Sequence, residues 1–403
     1  MRSKAILCTL ALLVFIPALA TAQREIVVWH GYRGGEKAAF EKVVENFNQA
    51  NAGKIKVATL AVPYDAFADK ITAAVPRGKG PDVFIFAQDR LGGWIVAGNT
   101  VENLDFFLDD KIKGRYLKAT MDAMTYQGNV YGLPLNFKVI TLIYNKKLLA
   151  TPPKTSAELE TQAKKLTNVA AGKFGLVYWY SDFYYHAGLM NGFGGGVFGP
   201  NRKPTLNSPQ NVKSVELLLK WINQGFMPAE PSTALITSLF NGGKAAMVFS
   251  GPWFLGEVSK DIDYALAPLP AITENGGKPM RPWITVEGVY VAAPSKNKEA
   301  AFELAKYLTD VPAGKVMAIA GRQTPANKGV YADPQVANDP ILKAFRQQVD
   351  VAVPMPNLPE MSMMWSPATT AMNTIVQKTA TPKQALDQAQ KELIERIANL
   401  LKK

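Results

Sequence analysis

Asp89 and Glu287 are the acids to test first as a catalytic pair, because glycoside hydrolysis needs two carboxyl groups flanking one bond. Nothing in the sequence pairs them, and each reads more readily as a hydrogen-bonding or surface acid. His30 and His186 are the only histidines and Cys8 the only cysteine, which leaves no disulfide framework and no Cys/His metal cage. Neither histidine has a Ser or Asp at a suggestive spacing, and there is no Walker A loop, H-E-x-x-H or G-x-S-x-G. Gly194 to Gly199 satisfies G-x-G-x-x-G, but Pro200, Asn201 and Pro204 follow where a nucleotide-binding helix would open, so a turn is expected. No cofactor and no metal are expected, and no catalytic residue is assigned.

Aromatic side chains are the more telling inventory. Seven Trp and fourteen Tyr recur where turns expose them: Trp94 near Asp89-Arg90, Tyr178 to Tyr180 with Phe183 to Tyr185, Trp253 after Gly251-Pro252, Trp283 after Pro282, and Trp365 before Pro367. A sugar offers apolar C–H faces and pairs of hydroxyls, so its site needs flat aromatic platforms together with planar polar groups such as Asp and Arg. These residue types at strand ends and Gly-Pro turns match that demand.

The elements that must position them read as α/β. Glu25 to Trp29 is a short apolar strand, Gly31 to Gly35 a glycine-rich turn, and Glu36 to Ala50 a helix with Phe40, Val43, Val44 and Phe47 on one face. A strand from Lys54, a helix over Tyr64 to Val75 and the apolar strand Pro81 to Phe86 complete a βαβαβ unit, whose ligand crevice lies beyond the carboxyl ends of its strands. Further on, Thr155 and Glu158 are spaced as a capping box, and Thr381 with Pro382 opens a C-terminal helix to Leu401. At 403 residues the chain exceeds what one core supports, so two lobes are expected. Arg2, Lys4, the apolar run Ala5 to Leu19 and Ala20-Thr21-Ala22 form a cleavable export signal over residues 1–22. The net charge of +12 falls to +10 without Arg2 and Lys4, and its lysines are scattered, which reads as a solvated basic surface with no nucleic-acid partner.

Several blocks then resemble the bacterial maltose/maltodextrin-binding proteins, the periplasmic solute receptors of ABC importers. They are Phe86 to Gly93, Leu142 to Lys146, Pro152 to Thr155, Phe240 to Met247, Ser250 to Trp253 and Met355 to Trp365, in the family's order over essentially all of residues 23–403. The resemblance implies a two-lobe periplasmic-binding-protein fold with a ligand cleft between the lobes. Its lobes would be residues 23–136 with 284–337, and residues 137–283 with 338–403. By matching position, Asp89 and Arg90 would hold sugar hydroxyls while Trp253 and Trp365 stack on sugar faces. Phe86 stands where the family has a Trp. Arg33 and Asp69 fall near polar contacts, and Phe183 near the central aromatic contact.

Three departures stand out: Lys138 replaces a ligand-binding acid, Thr369 an arginine, and Ser366 a tyrosine. Replacing an acceptor-only carboxylate by a donor-only ammonium reverses the hydrogen-bond demand at that subsite. The implied function is a monomeric periplasmic receptor that binds a maltose- or maltodextrin-like oligosaccharide and presents it to a membrane permease. The alternatives are a receptor for another disaccharide or small solute, and a secreted glycoside hydrolase using Asp89 and Glu287.

Overall fold

The computed structural model describes residues 23–400, and the expected export signal lies outside them. In the first lobe the strand Arg24–His30 pairs in parallel with both Ile55–Ala61 and Val83–Ala87. Helix Gly34–Ala50 crosses between the first two and turns Phe40, Val43, Val44 and Phe47 into the core. Each such buried side chain contributes roughly 1.5–3 kcal/mol. The sheet continues from Val83–Ala87 through the antiparallel strands Trp283–Val291 and Leu133–Lys138 to Thr324–Pro325, with Val353–Pro354 added beside Trp283. All five residues of Val83–Ala87 are buried, as a strand covered on both faces requires.

The second lobe is built on a four-stranded mixed sheet ordered Tyr264–Ala267, Thr141–Asn145, Ala245–Ser250, Phe174–Val177. Its helices include Ser156–Leu166, Phe183–Gly192, Pro209–Asn223, Pro359–Val376 and Pro382–Leu400. Trp221, fully buried, donates its indole N–H to Glu160 at 3.0 Å, and Met361, Met364 and Met372 fill the same core. The chain passes from one sheet to the other at Val139–Ile140, between Leu133–Lys138 and Thr141–Asn145.

Local chemistry sets several boundaries as read. Thr155 Oγ1 accepts from Glu158 N at 3.2 Å and caps helix Ser156–Leu166, while Glu158 reaches back to Lys154 N at 2.7 Å. Gly194–Gly199 is a turn after helix Phe183–Gly192, followed by a short 3-10 segment at Pro200–Arg202. Helix Pro359–Val376 is the main element not read from the sequence. It carries Pro367 in its interior, which ordinarily ends or kinks a helix, and it places Trp365 on the cleft side of the second lobe.

Candidate functional site

Both βα turns of the first lobe bring polar residues to the cleft. After Arg24–His30 come Tyr32, Arg33 and Glu36, and after Val83–Ala87 a 3-10 turn, Gln88–Arg90, carries Asp89 and Arg90. Asp89 is 3% exposed, lies 3.1 Å from Arg90 Nε, and accepts from Trp365 Nε1 at 2.8 Å. Burial pushes its carboxyl above the usual carboxylate range, against the pull of Arg90 and of the indole N–H. The Arg90 guanidinium lies 5.8 Å from the Trp365 ring centre. Asp, Arg and Trp thus meet across the cleft as one charged and aromatic group.

A chain of rings runs on from this group. Centroid separations are 6.3 Å for Tyr185 and Trp253, 6.0 Å for Trp253 and Tyr184, 6.1 Å for Tyr184 and Trp283, and 5.8 Å for Trp283 and Trp365. Two hydrogen bonds fix the orientation: Trp253 Nε1 donates to Tyr185 Oη at 3.2 Å, and the Tyr184 and Thr285 hydroxyls are hydrogen-bonded to each other at 2.9 Å. Helix Phe183–Gly192 starts here because Asp182 caps it, accepting from Tyr184 N at 2.7 Å. Burial raises the Asp182 carboxyl to about 6.

Lys138 sits in a buried charge network. Its ammonium lies 2.9 Å from Glu287 and 3.3 Å from Glu36, all three side chains being at most 11% exposed. Tyr32 Oη donates to the other Glu287 oxygen at 3.0 Å, and Gln323 Nε2 donates to Glu36 at 2.6 Å. Burial works to lower the ammonium pKa, but the two carboxylates outweigh it and hold it above the usual lysine range. Burial raises Glu36, with Lys138 opposing. The Lys138 ammonium therefore lies within ion-pair distance of two buried carboxyl groups. Lys138 also lies 5.9 Å from the Trp253 ring centre, so the network borders the aromatic wall.

The remaining sequence-derived site residues are distributed differently. Phe86 is 4% exposed, stacked between Tyr64 at 5.0 Å and Phe67 at 5.1 Å, so the exposed ring on that side is Tyr64. Phe183 is buried 6.0 Å from Trp283 and supports the wall from behind. Asp69 is exposed on helix Tyr64–Ala74. Arg33 reaches the other lobe, its Nε 2.6 Å from Glu257 Oε1. Ser366 accepts from Arg396 in the C-terminal helix at 3.1 Å, and Thr369 is exposed. Tyr64, Glu36 and Glu257 escaped sequence reasoning, and Tyr184 entered it only as a member of the aromatic run Phe183–Tyr185.

A family model described as bacterial extracellular solute-binding protein matches residues 42–344. The maltotriose-binding protein of Pyrococcus abyssi is 30% identical over 379 residues, which cover 92% of this chain and 82% of that protein. The galactooligosaccharide-binding protein of Bacillus subtilis is 32% identical over 379 residues, covering 91% of this chain and 87% of its own. Among solved structures, a maltose/maltodextrin-binding domain from Bdellovibrio bacteriovorus bound to maltotriose aligns with a TM-score of 0.87 at 26% identity, over 93% of this chain and 100% of that one.

Proposed function

The chain belongs to the bacterial extracellular solute-binding proteins, and we propose that within this family it is the carbohydrate receptor of an ABC importer. It captures a maltose- or maltodextrin-like oligosaccharide between its lobes and presents it to the membrane permease. We place it in the periplasm, exported by residues 1–22, and acting as a monomer. The observation that carries this reading is the meeting of Asp89, Arg90 and Trp365 across the cleft, continued by the Trp283, Tyr184 and Trp253 rings. A carboxylate and a guanidinium present planar acceptors and donors for adjacent hydroxyls, while the partly exposed Trp253 and Trp365 rings cover the C–H faces and buried Trp283 backs them. Asp89, Arg90, Trp253 and Trp365 are the proposed sugar contacts.

Hydrolysis fits this arrangement poorly. Glu287 is paired with Lys138 and Tyr32 in the charge network of the first lobe, while Asp89 is paired with Arg90 and Trp365, so the two acids belong to separate groups and not to one acid and base pair. The galactooligosaccharide-binding relative, at 32% identity, supports a second reading in which the sugar is a galactoside.

Purified residues 23–403 titrated with maltose, maltotriose, trehalose, sucrose, glucose and a galactotriose, with intrinsic Trp fluorescence and sugar chromatography as readouts, separate these readings. Saturable binding of intact maltotriose in preference to galactotriose is the expected result. The reverse order would make the protein a galactoside receptor, and disappearance of sugar would make it a hydrolase.

A further inference from the structure

We infer that Arg33 and Glu257 form a positioning clamp that fastens the two lobes at the rim of the cleft and raises sugar affinity without touching the sugar. The inference rests on the receptor reading above. It starts from how firmly each half is held. Arg33 is the extended residue that precedes helix Gly34–Ala50, and its own side chain makes no capping bond there. The residues on either side are anchored in the first lobe, Tyr32 through Glu287 and Glu36 through Lys138 and Gln323. Arg33 therefore reaches outward from a fixed base. Across the rim, one oxygen of Glu257 lies 2.6 Å from Arg33 Nε, and the other accepts from Thr237 Oγ1 at 2.9 Å. Thr237 belongs to helix Thr233–Asn241 of the second lobe, so the acceptor is braced as well.

The backbones beneath this pair are shaped for contact. Gly35 N donates to Gly256 O at 3.4 Å. Gly34 has a φ of +51°, and a Cβ there would stand 3.0 Å from Gly256 O; a Cβ on Gly256 would stand 3.3 Å from Gly35 N. Glycine on both sides lets the lobes approach until the side chains can pair, and a left-handed φ suits Gly34 in particular.

A contact made only when the lobes are together favours the binding-competent arrangement, and apparent affinity scales with the fraction of molecules in it. The two side chains are 45% and 24% exposed, so the pair has the strength of a surface ion pair. Breaking it should weaken sugar binding by roughly 1.5- to 5-fold.

The test is a charge swap in the whole protein: Arg33→Glu, Glu257→Arg and the double variant. Maltotriose affinity is read by Trp fluorescence. The interlobe distance without sugar is read by spin labels at Glu41→Cys and Lys260→Cys, both exposed positions in a chain whose only native cysteine is Cys8. Each single variant should bind more weakly and show a longer mean distance, and the double variant should recover both. Losses that simply add in the double variant would show that the two side chains act independently and would overturn the clamp. The distance readout needs no sugar. If none of the offered sugars binds while the distances follow the swap, the clamp stands and the ligand assignment falls.

Discussion

Replacing Lys138 by Met removes the one cation between Glu36 and Glu287 and leaves its alkyl volume in place. Both carboxylates are at most 8% exposed on their side chains and cannot recruit bulk water without opening the lobe. Removing one partner of a buried ion pair costs about 3–5 kcal/mol. The loss should depend on pH in a particular direction. Glu36 is already held above its ordinary value of 4.5 by burial, and losing Lys138 raises it further. A folded state in which the Glu36 pKa is raised binds more protons than the unfolded chain between about pH 4.5 and that raised value, so stability falls as pH rises through that window. Urea unfolding followed by Trp fluorescence should therefore show Lys138→Met furthest below the parent near pH 8 and closest to it near pH 5. The triple variant Lys138→Met, Glu36→Gln, Glu287→Gln should recover most of the deficit at pH 8. A deficit that does not change with pH, or a single variant as stable as the parent, would refute the network as the source of the effect.

Two further outcomes follow from the site. Trp365→Phe keeps a ring against Arg90 but deletes the donor to Asp89, so it should weaken sugar binding less than Trp365→Ala, which should cost about 1–3 kcal/mol by calorimetry; equal losses would show that the indole N–H, not the ring, does the holding. His30 and His186 are pushed down by burial to about 4 and about 3, so neither imidazole should charge between pH 8 and 5 in NMR titrations. Because their folded values lie below the ordinary 6.5, the stability they contribute is present above that value and is lost as pH falls from it toward about 4 for His30 and about 3 for His186. A midpoint near neutrality at either ring would refute their placement.

The first lobe was legible because its apolar residues keep a clean period. Phe40, Val43, Val44 and Phe47 mark one helical face, and all four are buried. Capping was legible where short polar side chains stand at a helix start, as at Thr155 and Thr381, whose hydroxyls accept from Glu158 N and Gln384 N. Helix Pro359–Val376 was not, since Pro367 and a run of methionines break both the propensity and the periodicity, and tertiary packing against the second-lobe core overrides them. The charge network was invisible for another reason. Glu36, Lys138, Glu287 and Gln323 come from four separate segments, and an acid in the first turn of a helix ordinarily reads as a partner of the helix dipole. Nothing local reveals that it faces inward to a lysine.

Phe86 shows how far the same pattern reading can be pressed. A strand recognised as covered on both faces has no side chain left to offer the cleft, and each residue of Val83–Ala87 is buried accordingly. The groups that reach the crevice must then come from beyond the strand's carboxyl end or from a neighbouring element. Asp89 and Arg90 do the first, and Tyr64, resting on Phe86 and 51% exposed, does the second. Phe86 thus acts on the cleft through the ring it supports. The same logic separates Arg24–His30, whose inward residues build the core, from Tyr32, Arg33 and Glu36 just past its end, which hold the charge network and join the lobes. In this fold the strands decide where the site is, and the first few residues after each strand decide what it can hold.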